Sequence, residues 1–247
     1  MKTPLHSHLE PKDNFWQSGS AGYAAVESES RKQLLHPTIA GLIGQDAGVR
    51  VLDYGCGDGS LARLLNKECE LGLFDISENM LLLAEQHLKD YAPVIYRDPG
   101  AIPHDYYDYV VFSLVLMTIS TKEEIKKTLS IIRSALKANG TAIIAITHPC
   151  FRQQRFSTFR TAYTQGKEFN YFREGEPFEV LIRDEDTAHE VRFHDYHWTL
   201  GTTIDLLAQS GLPLARLIEF PDLPATPGGY ANALASPYII LECKDAD

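Results

Sequence analysis

The sequence predicts an α/β protein with a doubly wound, seven-stranded sheet and an inserted cap after strand 5. Short apolar runs alternate with amphipathic helical patterns between residues 31 and 147, which is typical of βαβ units and of a parallel sheet. Residues 109–116 form a continuous apolar run of the kind that is buried on both faces of such a sheet. The roughly fifty residues that follow Thr147 carry no further βα repeat.

The first half of the chain divides into elements at clear boundaries. Apolar spacing predicts a helix over 31–44 with a kink or fresh turn at Pro37. Further helices are expected directly after the first strand, from Ser77 onward, and from Thr121 through Leu136 with Gly140 as terminator. Strands are predicted over 49–53, 71–74, 94–96, 109–116 and 141–147.

The second half contains a segment of different composition. Residues 149–198 are rich in aromatic residues, Arg and Glu, and we interpret them as a substrate-binding cap. A helix over 200–209 and strands over 214–220 and 237–242 then complete the sheet. The predicted organisation is an N-terminal lid (1–30), a core (31–148 and 199–247) and the cap between its two parts.

Composition and charge exclude several classes of function. The 247 residues carry a formal net charge of −10 at pH 7, which would repel a phosphate backbone, so nucleic acid is not expected as a partner. Four cysteines without a C-x-x-C pair indicate a reducing compartment, with neither a disulfide framework nor a zinc site. Because the sequence shows no export signal and no apolar run of membrane-spanning length, we predict a cytoplasmic protein that does not bind membranes.

A glycine-rich turn lies between the first strand and the helix predicted to follow it. Gly55, Gly57 and Gly59 can adopt positive φ and let the backbone approach a ligand closely. Asp75 ends the second strand about twenty residues after the turn, where a carboxylate can accept both hydroxyls of a ribose. A nucleoside site is therefore predicted. A dinucleotide fingerprint would need glycine where the chain has Ser60.

These motifs resemble those of the class I S-adenosylmethionine-dependent methyltransferases. Residues 51–59, VLDYGCGDG, resemble the family's first motif, a hydrophobic strand running into D/E-x-G-x-G-x-G. Residues 75–80, DISENM, are similar to its D-x-S-x-x-M, and residues 136–140, LKANG, to its L-K-P-G-G, from which Ala138 and Asn139 depart. The resemblance implies a Rossmann-like class I methyltransferase fold and S-adenosyl-L-methionine as cofactor.

The resemblance also implies roles for individual residues. Asp53 and the turn at Gly55, Cys56 and Gly57 would contact the methionine end of the cofactor, and Asp75 would hold the ribose hydroxyls. The adenine would contact Ile76 and Asp98, with Gly100 nearby, although Pro99 removes a backbone donor from this loop. The remaining cofactor-binding residues implied are Met80, Ser113 and Leu114, together with Tyr23 as an N-terminal aromatic that closes over the cofactor.

Two histidines are candidates for a general base, because the pKa of imidazole suits proton transfer near neutral pH. His148, directly after the fifth strand, is the first candidate and His197 the second; the alternative for His148 is a structural hydrogen bond to the cap's backbone. His194 and His197 lack an H-E-x-x-H pattern, so no metal is expected. The predicted acceptor-binding residues are Trp16, Tyr23, His148, Phe151, Arg152, Tyr196 and Trp198.

The predicted function is methyl transfer to a hydroxyl or nitrogen of a small aromatic or heterocyclic metabolite, by a monomer or homodimer. Arginines close to aromatic residues in the cap also suit a planar anionic metabolite. An RNA or protein methyltransferase is an alternative that would need a basic face or docking module. A nicotinamide-dependent reductase is disfavoured by Ser60 and by the lack of a Tyr-x-x-x-Lys pair. A non-catalytic cofactor-binding or regulatory protein of the same fold is the third alternative.

Overall fold

The computed structural model describes residues 22–23, 28–183, 190–224 and 233–244. Most of the predicted lid, including Trp16, lies outside these residues. The described chain begins with a π-helical turn, Arg31–Leu35, which leads directly into α1 (His36–Ile43). Pro37 stands in the first turn of α1, directly after the π-helical turn, so a new helical segment begins where the sequence predicts a kink or fresh turn.

Within the described residues, ten strands and three further helices follow. The strands are β1 (Arg50–Tyr54), β2 (Glu70–Phe74), β3 (Val94–Tyr96), β4 (Tyr107–Ser113), β5 (Leu136–Thr147), β6 (Phe159–Thr161), β7 (Pro177–Arg183), β8 (Glu190–Tyr196), β9 (Leu214–Glu219) and β10 (Tyr238–Lys244). The helices are α2 (Glu78–His87), α3 (Lys122–Ala135) and α4 (Leu200–Gln209).

Seven of these strands form the main sheet, in the order β3-β2-β1-β4-β5-β10-β9. Strands β1 to β5 are parallel to one another. The crossing of the chain from the β1–β3 side to the β4–β5 side makes the sheet doubly wound, which confirms the predicted fold class. The sheet is not fully parallel, because β10 runs antiparallel to both β5 and β9.

The helix starts follow from side-chain caps. Ser77 accepts a hydrogen bond from the Met80 N–H at the start of α2, and Thr121 accepts one from Glu124 at the start of α3. Thr199 caps α4 in the same way. Each hydroxyl satisfies a backbone donor that has no partner within the helix.

Three predicted boundaries are wrong. The predicted helix after the glycine turn is only a single 3-10 turn, Ala62–Leu64, because Leu65 already has extended φ and ψ. Helix α3 ends at Ala135, because Leu136 pairs with Tyr107 and opens β5, with Asn139 at positive φ within that strand. Strand β4 ends at Ser113, since Leu114 adopts a φ of 58°.

The region predicted as a cap contains its own three-stranded antiparallel sheet, in the order β6-β7-β8. In β8 the residues Val191, Phe193 and Asp195 alternate with exposed ones and are buried, as expected for a strand with one covered face. This small sheet, which lies between β5 and α4 in the chain, therefore has one face turned towards the protein interior.

The four cysteines are free in the structure. Within the described ranges, no group of three or more His, Cys, Asp or Glu could hold a metal ion. Among the helices that the structure describes, none is long and apolar enough to cross a membrane.

Candidate functional site

A cavity of about 510 Å³ opens at the carboxyl ends of β1, β2 and β4. Open α/β sheets bind ligands at this edge. The cavity brings together most of the predicted cofactor-binding residues: Tyr23, Asp53, Gly55, Cys56, Gly57, Asp75, Ile76, Met80, Ser113 and Leu114. Residues up to about ninety positions apart in the sequence thus meet at one site, because three parallel strands end side by side.

The glycine turn forms the floor of this cavity. The N–H groups of Gly55 and Cys56 both donate to the carbonyl oxygen of Phe74, at 2.6 and 3.0 Å, which ties the turn to the end of β2. A Cβ on Gly55 would lie 2.4 Å from Cγ2 of Val115, whereas one on Gly57 would meet no atom within 4 Å. Gly55 is therefore required by packing, and Gly57 leaves open space beside the ligand cavity.

The Asp75 carboxylate is fixed by two backbone donors. Its Oδ2 accepts the N–H of Gly57 at 2.9 Å, and its Oδ1 accepts the N–H of Ser77 at 2.9 Å. Burial raises the pKa of Asp75, while hydrogen bonds from Ser77 and Gly57 oppose this shift. The carboxylate is thus held in one orientation at the cavity wall, which suits it to recognise a pair of hydroxyls.

Asp53 lies at the end of β1 and is almost fully buried, with 3% of its side chain surface exposed. Burial, followed by the negative charges of Asp75 and Asp58, raises the pKa of Asp53 to about 7. A positive ligand group in the cavity would favour the charged form of Asp53.

Basic side chains line another part of the cavity, and the sequence analysis did not identify them. Arg31, Lys32, His36 and Arg63 all contribute to the lining. Nη1 of Arg31 donates to the Tyr23 hydroxyl at 2.7 Å, and the Arg31 guanidinium carbon lies 4.7 Å from the centre of the Tyr23 ring. Burial, then the charge of Arg31, lowers the pKa of His36 to about 4. The only sequence signal was the basic pair at 31–32, which a solvated helix face would equally explain.

The predicted adenine contacts separate into two groups. Ile76 lines the cavity although 62% of its surface is exposed, and Met80 lines it from a buried position. Asp98, Pro99 and Gly100 do not contribute to the lining. The Asp98 carboxylate instead accepts the N–H of Gly100 at 2.9 Å and caps a 3-10 turn, Pro99–Ala101. The role of this loop in binding stays a prediction.

The two candidate bases lie outside the cavity lining. Nδ1 of His148 accepts the N–H of Cys150 at 3.2 Å, and its Nε2 lies 2.6 Å from Oε1 of Glu219. Both ring nitrogens are therefore engaged, and this arrangement does not support His148 as a base. His197 donates from Nε2 to the Tyr171 carbonyl oxygen at 2.8 Å, and its buried Nδ1 has no partner among the described residues. His197 thus retains an acceptor atom.

Most of the predicted acceptor-binding residues belong to the cap region itself. Tyr23 alone among the described ones lines the cavity. Trp198 is buried and donates from Nε1 to the Ile119 carbonyl oxygen at 3.1 Å, and Phe151 packs against the His148 ring at 4.5 Å. Tyr196 is half-buried at the end of β8, and Arg152 is buried. Whether these side chains contact an acceptor stays a prediction.

Comparisons with known proteins agree with this geometry. Residues 52–142 match the sequence profile of a methyltransferase domain. The chain is 25% identical over 198 residues to an uncharacterized protein of Haemophilus influenzae, covering 74% of each chain.

Two solved structures share the fold. One is an S-adenosylmethionine-dependent methyltransferase from Mesorhizobium loti, with 20% identity, a TM-score of 0.57 and coverage of 84% of this chain and 96% of the other. The second is magnesium protoporphyrin IX methyltransferase from Synechocystis with bound S-adenosylhomocysteine, with 18% identity, a TM-score of 0.62 and coverage of 95% and 98%. The profile match spans β1 to the middle of β5, the part of the chain that builds the cavity floor.

Proposed function

We propose that this chain, whose residues 52–142 match a methyltransferase domain, is a class I S-adenosylmethionine-dependent methyltransferase that methylates a hydroxyl or nitrogen of a small aromatic or heterocyclic metabolite. The observation that carries the proposal is the joint placement of the glycine turn and the fixed Asp75 carboxylate on one cavity of about 510 Å³. This volume lies within the range of pockets that enclose a small-molecule ligand or cofactor.

The cavity residues fit S-adenosylmethionine at its nucleoside end. Asp75 presents a carboxylate, already oriented by Gly57 and Ser77, to the ribose hydroxyls. Ile76 presents an exposed apolar side chain in the same cavity, which an adenine would cover. The open side of Gly57 leaves room for the ligand to approach the backbone.

The cavity also matches the charges at the methionine end. Asp53 supplies negative charge for the ammonium and sulfonium groups, and its raised pKa means that a bound cation would drive its ionisation. Arg31 and Lys32 supply positive charge for the carboxylate. The two positive groups and the carboxylate of S-adenosylmethionine thus each have a side chain of opposite charge within one cavity.

The bound cofactor supplies an activated methyl group, so the chain itself must align the acceptor and exclude water. Tyr23 lines the cavity, where it is held by Arg31 and by an edge-on contact to Phe193 of β8. Ser113, at the end of β4, has a buried Oγ with no partner among the described residues, and it lines the cavity. Its hydroxyl is available to an acceptor or cofactor atom.

The acceptor class rests on the inner surface of the cap. Aromatic rings cluster there, with Tyr163 4.8 Å from Phe169 and 5.4 Å from Phe178, while Phe193 contacts Tyr23 of the cavity. Such surfaces favour flat apolar ligands. The net charge of −10 disfavours RNA, which a basic face would be needed to bind.

Isothermal titration calorimetry with S-adenosylmethionine and S-adenosylhomocysteine tests the cofactor site. We expect micromolar affinity for the wild type and at least a tenfold loss for Asp75→Ala. Asp90→Ala is the matched control, because Asp90 is exposed, pairs with Lys67 at 3.4 Å and lies away from the cavity. Equal affinity in all three proteins would refute the assignment of Asp75.

Turnover separates an enzyme from a non-catalytic binding protein of the same fold. Formation of S-adenosylhomocysteine would be followed with panels of phenols, amines and N-heterocycles. Product with any of these acceptors supports the proposal. Turnover only with RNA or protein substrates would refute the acceptor class while leaving the methyltransferase activity in place.

A further inference from the structure

Arg152 stands out among the buried polar residues of the cap. It follows β5 by five residues, and only 4% of its surface is exposed. Arginine is almost never buried to this extent unless it is paired. Nevertheless, no ion pair joins Arg152 to a carboxylate in the part of the chain that the structure describes, and Asp195 acts on it only as a nearby charge.

The guanidinium is held on one edge and unpaired on another. Nη1 donates to Oγ1 of Thr147, and the guanidinium carbon lies 4.8 Å from the centre of the Phe178 ring. Nε is fully buried and has no hydrogen-bond partner among the described residues. A buried donor without a hydrogen-bond partner is costly, and an acceptor atom supplied by a ligand would remove this cost.

The position of Arg152 relates it to the proposed methyl-transfer site. The N–H of Leu114, which lines the cavity, donates to the Ala145 carbonyl oxygen of the adjacent strand β5 at 2.8 Å. Thr147 lies two residues further along β5, which is roughly 7 Å in an extended strand. Arg152 is thus anchored just beyond the cavity floor, on the side that the cap covers.

A second buried nitrogen in this region, Nδ1 of His197, is an acceptor rather than a donor. Nδ1 of His197 is fully buried without a partner among the described residues. Because Nε2 of His197 donates to the Tyr171 carbonyl oxygen, Nδ1 carries the lone pair and can accept a hydrogen bond. The underside of the cap therefore holds an unused donor and an unused acceptor among aromatic rings.

We propose that Arg152 binds a carboxylate of the acceptor, so that the substrate is an aromatic or heterocyclic carboxylic acid whose ring lies under the cap. The inference rests on the proposed function and specifies its substrate class. A carboxylate is favoured over a neutral polar group because it would form the ion pair that Arg152 lacks among the described residues, and because its planar geometry matches the guanidinium edge. His197 then accepts a hydrogen bond from a second polar group of the acceptor.

The test compares acids with their matched amides. Benzoate, indole-3-carboxylate and quinoline-2-carboxylate would be titrated against the corresponding carboxamides by ligand-observed NMR, with and without S-adenosylhomocysteine. The wild type is expected to bind at least one acid at least tenfold more tightly than its amide. Amides that bind as tightly as the acids, or the absence of acid binding, would overturn the inference.

Two variants determine whether the selectivity belongs to Arg152. Arg152→Met should abolish the preference for acids without lowering the melting temperature, because it removes a buried charge that no ion pair holds among the described residues. Arg160→Met is the matched control, since Arg160 on β6 pairs with Glu190 at 3.9 Å, and it should retain the preference. A lowered melting temperature together with unchanged acid selectivity in Arg152→Met would assign Arg152 a structural role and overturn the inference.

The outcomes distinguish the two proposals. Failure of S-adenosylhomocysteine to bind would refute the proposed function, whereas acid selectivity that depends on Arg152 would still establish the anion site. Binding of S-adenosylhomocysteine without acid selectivity would leave the methyltransferase assignment intact and refute the carboxylate acceptor.

Discussion

The raised pKa of Asp53 makes folding stability depend on pH in a definite direction. Burial and the charges of Asp75 and Asp58 move the pKa from 3.8 to about 7. A carboxyl group of this kind binds more protons in the folded state than in the unfolded chain between those two values. The free energy of unfolding therefore falls as pH rises across this window. Asp53→Asn removes the titration and should stabilise the protein lacking cofactor at neutral pH.

The size of the effect follows from the shift. One pKa unit corresponds to about 1.4 kcal/mol, so the full shift is worth roughly 4 kcal/mol as an upper bound. At about pH 5.5 roughly half of this destabilisation is already present, and at about pH 8 it is complete. The advantage of Asp53→Asn over the wild type should thus grow by about 2 kcal/mol between these pH values.

Urea unfolding of both proteins at the two pH values measures this difference. Asp90→Asn serves as the control, because Asp90 is exposed and should show the same pH dependence as the wild type. The reasoning is refuted if Asp53→Asn is less stable than the wild type at about pH 8, or if its advantage is the same at both pH values.

Three further changes test individual parts of the site. Gly55→Ala places a Cβ 2.4 Å from Val115 at a φ of 84°, so we expect a loss of about 1–3 kcal/mol in thermal or urea unfolding; wild-type stability would contradict the packing argument. Ile76→Ser removes an exposed apolar side chain from the cavity. Calorimetry should show roughly tenfold weaker S-adenosylhomocysteine binding at unchanged stability, and unchanged affinity would remove Ile76 from the adenine site. Trp198→Phe loses the hydrogen bond to Ile119, which should cost about 1 kcal/mol and leave cofactor affinity unaltered; a large loss of that affinity would show that Trp198 acts on the cavity.

The parallel half of the fold could be predicted from the sequence because its signals are local. The apolar run that contains Val110, Val111 and Phe112 forms the fully buried part of β4, and Ser77 and Thr121 cap the helices that follow them. Strand direction at the far edge could not be predicted in this way. The antiparallel course of β10 depends on its pairing with β9 and with β5, and β5 lies far earlier in the chain.

The candidate site shows the same division. Residues in the glycine turn and at strand ends, such as Asp53 and Asp75, follow from motif and register. Arg31 and His36 reach the cavity only through the packing of the N-terminal helical segment, for which the sequence contains no motif. His148 has the residue type and location of a base, but hydrogen bonds from Cys150 and to Glu219 occupy its ring nitrogens, and such long-range pairing is visible only in the folded chain.

The crystal structure of this protein with S-adenosylhomocysteine tests the central claim most directly. The account predicts ribose hydroxyls within hydrogen-bond distance of the Asp75 carboxylate and an adenine against Ile76. It also predicts the methionine end between Asp53 and Arg31. A ligand bound elsewhere on the protein, or a cavity that stays empty at a saturating ligand concentration, would contradict it.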